Sequence, residues 1–224
     1  MNKTKTLIVS AHPDDEVIGC GGTILKLKEQ GSELYWLIIT NVSEQLGWDK
    51  DFVLSRQKEI DIISQMLVFN KVYKLDYPTT QLDTIPLGDL IKKISSVINE
   101  IMPNEIFVVN RSDVHTDHKI VFQAVYSCTK NFRFPFVKKI LMYECLSETE
   151  FSPALIENVF IPNTFVDITD FFDRKLEIAK TYKSEIMDDF LPRSLSTIES
   201  LARYRGSRIG VKYAEAFQLI FEER

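Results

Sequence analysis

All three histidines of this 224-residue chain stand in two short acidic clusters. The first is Ala11-His12-Pro13-Asp14-Asp15-Glu16, and the second is Asp113-Val114-His115-Thr116-Asp117-His118. His12 and Asp15 are three residues apart across a turn and can point the same way, with His118 as a third ligand. Two imidazoles and one carboxylate make an open site for a divalent metal, the fourth position left to water. A metal there lowers the pKa of its water toward ~7. Asp14, the adjacent carboxylate, is free to take the water proton as general base. His115, three residues before His118, can face the substrate. Held protonated by the nearby Asp117, it would stabilise an oxyanion or protonate a leaving amine. These parts add up to metal-assisted hydrolysis, most simply of an amide or an ester.

Each cluster alone has a plainer reading. His12-Pro13-Asp14-Asp15 suits a turn, and His115-Thr116-Asp117-His118 suits a helix cap followed by surface polar residues. Together, each after a strand and holding every His of the chain, they favour a metal site.

The elements that must position them follow an α/β pattern. Thr6–Ser10 reads as a buried strand, and Gly19–Gly22 as a tight turn before a short helix, Thr23–Gln30, stopped by Gly31. A second strand, Glu33–Thr40, precedes a loop, 41–50, expected to rim the site. Helix 51–67, strand Lys71–Leu75, a turn-rich loop, helix 87–102 closed by Pro103, and strand Glu105–Asn110 follow. The second cluster lies in a loop before helix 119–129, and strand Lys138–Tyr143 comes next. Beyond it, 158–162 and 165–168 read as extended, 170–186 as a helix capped by Asp170, 192–205 as another helix, and 217–221 as a last strand. Strands alternating with helices imply βαβ units and a parallel sheet. Both clusters follow strands, so both fall on the carboxyl edge where open α/β sheets place ligands.

Composition bounds the rest. With 45% hydrophobic and 26% charged residues, the chain is ordinary for a globular protein, and one domain over 1–224 is expected. A net charge of −5 and no dominant basic patch argue against nucleic acid as the main partner. Cys20, Cys128 and Cys145 form no CxxC, which fits reduced thiols and a cytoplasmic location. No apolar run approaches the roughly 20 residues of a membrane span, and the charged first motif does not suit a signal peptide. The glycines at 19, 21 and 22 do not match GxGxxG, so no dinucleotide site is expected.

His12-Pro13-Asp14-Asp15-Glu16 paired with His115-Thr116-Asp117-His118 resembles the PIG-L (LmbE-like) N-acetylglucosaminyl deacetylases. The likeness extends, more weakly, to Gly19–Thr23, to Arg56 with Glu59, and to the tail Arg205-Gly206 and Tyr213–Phe217. It implies a Rossmann-like three-layer sandwich with a mostly parallel central sheet, and removal of acetyl from an N-acetylated sugar. Zinc is the metal it implies, with iron(II) as the alternative, and it allows a homo-oligomer. Carried over residue by residue, the ligands are His12, Asp15 and His118, Asp14 is the base, and His115 stabilises the oxyanion with Asp117 as its orienting partner. Arg56 matches a substrate-binding arginine, the plainer reading being a helix-surface pair with Glu59. Thr116 stands where Pro is common, which should change loop stiffness rather than ligation. Two other readings stand beside this one: an amidase or esterase on another acylated small molecule, and a non-catalytic sugar or nucleotide binder.

Overall fold

The computed structural model describes residues 3–223; Met1, Asn2 and Arg224 lie outside them. Among the described residues, seven strands form one sheet: β1 (Lys5–Ser10), β2 (Glu33–Asn41), β3 (Lys71–Pro78), β4 (Glu105–Val109), β5 (Lys139–Tyr143), β6 (Thr164–Asp167) and β7 (Ala214–Glu222). Their order is β3-β2-β1-β4-β5-β7-β6. β1 to β5 are parallel, and β7 runs antiparallel to both β5 and β6. The helices are α1 (Asp15–Glu29), α2 (Lys50–Met66), α3 (Leu87–Ile101), α4 (Thr116–Ser127), α5 (Phe172–Ala179) and α6 (Leu195–Ser207). Leu7, Ile8 and Val9 of β1 and Ile106 to Val109 of β4 are buried without alternation. Strands of that kind are covered on both faces, which makes a three-layer α/β sandwich. α3 shows how a covering helix is specified: Leu90, Ile94, Val97, Ile98 and Ile101 form its buried stripe.

The chain passes from β1 to β2 on one side and returns through β4 on the other. The crevice at this switch point, outside the carboxyl ends of β1 and β4, is where such sheets bind ligands. Both clusters open into it.

The expected turn at Gly19–Gly22 is instead part of α1, which starts at Asp15 and breaks at Cys20 (φ −146°, ψ 20°). The break strands backbone groups inside the protein, and a buried ion pair takes them up. Glu215 accepts from Gly22 N (2.9 Å) and Thr23 N (2.7 Å), while Lys175 Nζ donates to Ile18 O (2.8 Å) and to Glu215 (2.7 Å). The glycines serve close approach rather than a turn. A Cβ on Gly22 would meet Ile168 at 2.8 Å, and one on Gly19 would run into the Tyr143 ring.

Other boundaries shift for local reasons. α2 begins at Lys50 because Asp49 caps it, accepting from Asp51 N and Phe52 N, and the expected loop before it holds a 3-10 turn, Glu44–Leu46. α4 begins at Thr116, which puts His118 in its first turn. The helix expected over 170–186 stops at Ala179, and Asp170 does not cap it. The chain then turns inward, sending the Tyr182 hydroxyl to Glu16 and Glu185 to Arg56. Of the expected extended piece 158–162, Asn158 belongs to a 3-10 turn, Ile156–Asn158, Val159 after it is extended, and no sheet pairing forms there. β7 runs from Ala214, three residues earlier than expected.

Candidate active site

β1 delivers its cluster to the crevice through a tight change of direction. Thr40 donates its N–H (3.0 Å) and its hydroxyl (2.8 Å) to Ala11 O, pinning the end of β1 to β2. His12 N then donates to Asp15 Oδ2 (2.9 Å). Between them Asp14 takes φ 139° and ψ −31°, a conformation that penalises any residue with a Cβ. Its N–H is caught by Glu16 Oε2 (3.1 Å), and its carbonyl accepts from Val17 N and Ile18 N. Glu16 is itself fully buried and receives the Ser10 hydroxyl (3.3 Å) and the Tyr182 hydroxyl (2.7 Å). Burial pushes its carboxyl up to about 8, against the pull of these donors.

The structure brings His12, Asp15 and His118 together, with one ligand atom of each within 4.8 Å of the others. Each imidazole has a carboxylate behind it. His118 Nδ1 lies 2.8 Å from Asp113 Oδ2, leaving Nε2 facing Asp15 Oδ1 at 3.4 Å. His12 Nε2 lies 3.1 Å from Asp117 Oδ2, leaving Nδ1. Carboxylates in this position fix the ring and raise its basicity as a ligand. The donor set of two nitrogens and one oxygen, so supported, fits a divalent transition metal.

Two expectations about the second cluster change. Asp117 does not orient His115 with its carboxylate. That carboxylate is spent on His12, Thr80 N (2.7 Å) and Leu82 N (3.2 Å). It is instead the Asp117 backbone N–H that donates to His115 Nδ1 (3.1 Å), because His115 caps α4. Nor is His115 held protonated. Burial, with repulsion from His12 and His118, pushes it down to about 4. A neutral ring that accepts at Nδ1 carries its proton on Nε2, so it remains a hydrogen-bond donor.

Electrostatics separate the two neighbouring aspartates. Against the cost of burial, His118 and His12 hold Asp15 well below the usual carboxylate range. Burial, then the charges of Asp15 and Glu185, push Asp14 well above it, with Arg193 and Arg56 pulling back. His118 is driven well above the usual imidazole range: burial opposes its charge, but Asp15 and Asp113 on either side win. Two carboxyls of opposed proton affinity side by side are the arrangement in which one acts as ligand and the other exchanges protons.

The wall beyond Asp14 contains residues that sequence reasoning assigned no role. Arg193 Nη1 contacts Asp14 Oδ2 (3.1 Å) and Glu185 Oε2 (3.0 Å). Arg56, expected here, is buried; it donates to Pro13 O (3.1 Å), pairs with Glu185, and has Glu59 Oε2 at 3.6 Å. It lines the cleft and meets Glu59, but with both residues buried the pair is not the helix-surface salt bridge of the plainer reading. Asp113 was visible as a second carboxylate ahead of His118, and Arg193 fell in the expected helix 192–205, but nothing in their spacing named their partners. His12, Asp14, Asp15, Arg56, His115 and His118 all line one cleft, whose outer rim carries Trp48, Phe52 and Thr80.

The family profile described as GlcNAc-PI de-N-acetylase (PIG-L) matches residues 7–129, more than half of the chain and inclusive of both clusters. The chain belongs to the PIG-L family. It is 26% identical over 225 aligned residues to a diacetylchitobiose deacetylase of Thermococcus kodakarensis, covering 96% of this chain and 83% of that one. Among solved structures it resembles N,N'-diacetylchitobiose deacetylase from Pyrococcus horikoshii, in complex with an inhibitor, at 25% identity and a TM-score of 0.76, over 98% of this chain and 84% of that one. It also superimposes on GalB, a 4-carboxy-2-hydroxymuconate hydratase from Pseudomonas putida, at 18% identity and a TM-score of 0.73, over 99% and 98% of the two chains. The PIG-L fold thus carries more than one reaction, and the reaction has to be argued from the site.

Proposed function

We propose that this PIG-L protein hydrolyses the acetamido group of an N-acetylated amino sugar of the N-acetylglucosamine type, releasing acetate and the free amine. The observation that carries the reading is the convergence of His12, Asp15 and His118 with the buried Asp14 carboxyl beside them in one cleft. Zinc is the ion we assign to the three ligands, with iron(II) as the alternative that the same donors accept. When bound, such an ion supplies Lewis-acid polarisation and water of lowered pKa.

The chain's own residues do the rest. Asp14 accepts a proton from the attacking water as the new C–O bond forms, and returns it to the amine nitrogen as the C–N bond breaks. Burial lifts its pKa above the usual carboxylate range, the direction needed by a group that must both take and give a proton. His115, neutral and carrying its proton on Nε2, donates to the carbonyl oxygen as negative charge gathers there. Asp113 and Asp117 keep the two ligand imidazoles turned inward. Arg56 and Arg193, cross-linked through Glu185, present donors to sugar hydroxyls beside the base.

The test is acetate release from N-acetylglucosamine conjugates, read beside metal content, for the parent and for His118→Ala. One metal per chain, lost in the variant together with acetate release, supports the reading. Metal retained in the parent with no acetate from any N-acetylated sugar returns the question to other acylated amines and esters. Failure to take up zinc or iron(II) at all would sink the mechanism and leave a sugar-binding module.

A further inference from the structure

The rim of the cleft carries an aromatic feature that the chemistry above does not use. Trp48 is 40% exposed, although the chain's other tryptophan, Trp36, is fully buried and donates to Ser10 Oγ (2.9 Å). The Trp48 indole lies parallel to the Phe52 ring, centroids 5.1 Å apart and planes at 19°. Phe52 in turn has the Arg56 guanidinium over it at 5.6 Å, and Arg56 touches Pro13 O between His12 and Asp14. Phe52 and Arg56 are spaced by four on α2 and so share one side of it, and Trp48, just before the Asp49 cap, extends that side through its stack on Phe52; all three line the cleft. The loop that holds Trp48 is fastened on both sides, by the 3-10 turn Glu44–Leu46 before it and the Asp49 cap after it.

We infer that Trp48, backed by Phe52, is the platform of an outer sugar subsite that takes the face of a second pyranose ring, one residue beyond the sugar whose acetyl group is removed. The identity of the first sugar rests on the deacetylase reading above. A pyranose has apolar C–H faces and polar edges. An indole stacked from behind offers a rigid, electron-rich, apolar face with little entropy left to lose on binding. An inner sugar reacting at Asp14 would sit near Pro13 and Arg56, and beyond them the cleft is lined by the Phe52 ring and then by the more exposed Trp48. The competing account is a structural one: Trp48 directly precedes the Asp49 cap, and an apolar residue there can pack on the first turn of a helix as a staple. A staple needs no exposure toward the cleft, and its loss would act on folding rather than on the choice between short and long substrates.

The experiment uses N,N'-diacetylchitobiose and N-acetylglucosamine as probes. The subsite predicts that Trp48→Ala lowers the ratio of kcat/KM for the disaccharide to that for the monosaccharide by about 10-fold, near 1.4 kcal/mol, in the range of a lost aromatic stack. Trp48→Phe should recover most of that ratio. Because Trp36 is buried, the disaccharide should perturb the fluorescence of Trp48 in the parent more than the monosaccharide does, and calorimetry should show Trp48→Ala binding the disaccharide more weakly. An unchanged ratio, or fluorescence that responds to neither sugar, would overturn the subsite while leaving deacetylation standing. Binding signals as described, with no acetate released by the parent, would keep the subsite and overturn the deacetylase reading instead.

Discussion

Asp14 is the residue where the backbone and the chemistry make opposite demands, and a pair of substitutions separates them. At φ 139° and ψ −31° its Cβ sits in a region that only glycine enters freely. Holding a non-glycine residue there costs about 1–3 kcal/mol. Asp14→Ala and Asp14→Gly both delete the buried carboxylate, its contact with Arg193 and its repulsion from Asp15 and Glu185. They differ only in the Cβ. Glycine normally loses to alanine by about 0.5–1 kcal/mol, through the entropy of the unfolded chain. Here relief of strain should outweigh that loss, leaving Asp14→Gly the more stable of the two by about 1 kcal/mol. For a chain of this length that corresponds to about 2–4 °C in Tm. The assay is thermal unfolding of both variants with metal chelated, so that ligand linkage does not enter. Turnover should fall in both by about 10²–10⁴-fold, the share of a general base. An alanine variant as stable as the glycine one, or more so, would refute the claim that strain is stored at Asp14 and held by the Glu16 carboxylate.

Other outcomes follow from the same contacts. Asp113→Asn should weaken zinc affinity by about 10–100-fold, because Asp113 orients His118, and competition with a chromophoric chelator measures it. His118, raised by Asp15 and Asp113, gives the chelated protein stability that is complete below about pH 6.5 and lost as pH rises through its higher folded pKa. Denaturant titrations across that range should show the loss, and zinc uptake at pH 7 should release a proton, readable by calorimetry in buffers of different ionisation enthalpy. Glu215→Ala should cost about 3–5 kcal/mol, since it leaves Lys175 buried and unpaired, along with the N–H groups of Gly22 and Thr23. A loss below about 1 kcal/mol in urea unfolding would mean that the α1 break does not depend on this pair.

The sequence exposed the elements whose burial follows a simple period. Strands β1, β2 and β4 were legible as apolar runs, and α3 as an amphipathic stripe closed by Pro103. What it hid were structures decided by a distant partner. Gly19 to Gly22 carry the composition of a turn, and the helix does kink there at Cys20, yet it resumes at once because Glu215 and Lys175, nearly 200 residues away and about 155 residues away, take up the groups freed at the kink. Nothing local to α5 says that it ends at Ala179. The chain leaves the helix there because Tyr182 and Glu185 are needed at Glu16 and Arg56.

The candidate site divides along the same line. Residue types and spacing were enough to single out His12, Asp14, Asp15, His115 and His118, since a chain with three histidines leaves few ways to assemble a two-imidazole site. Which carboxylate backs which imidazole was not legible. Asp117 stands between His115 and His118, and either is a natural partner on sequence distance alone. The fold decides otherwise, because α4 starts at Thr116. Once the helix begins there, His115 becomes its cap and must accept the Asp117 N–H, while the Asp117 side chain points toward β1 and β3 and meets His12 and Thr80 N. Asp113, outside the helix and held by Asn110 and Thr149, is then the carboxylate left for His118. One helix start therefore settles four hydrogen bonds at once. It also sets the charge of His115, because a ring that must accept at Nδ1 cannot be an imidazolium, and burial among two other imidazoles keeps it neutral.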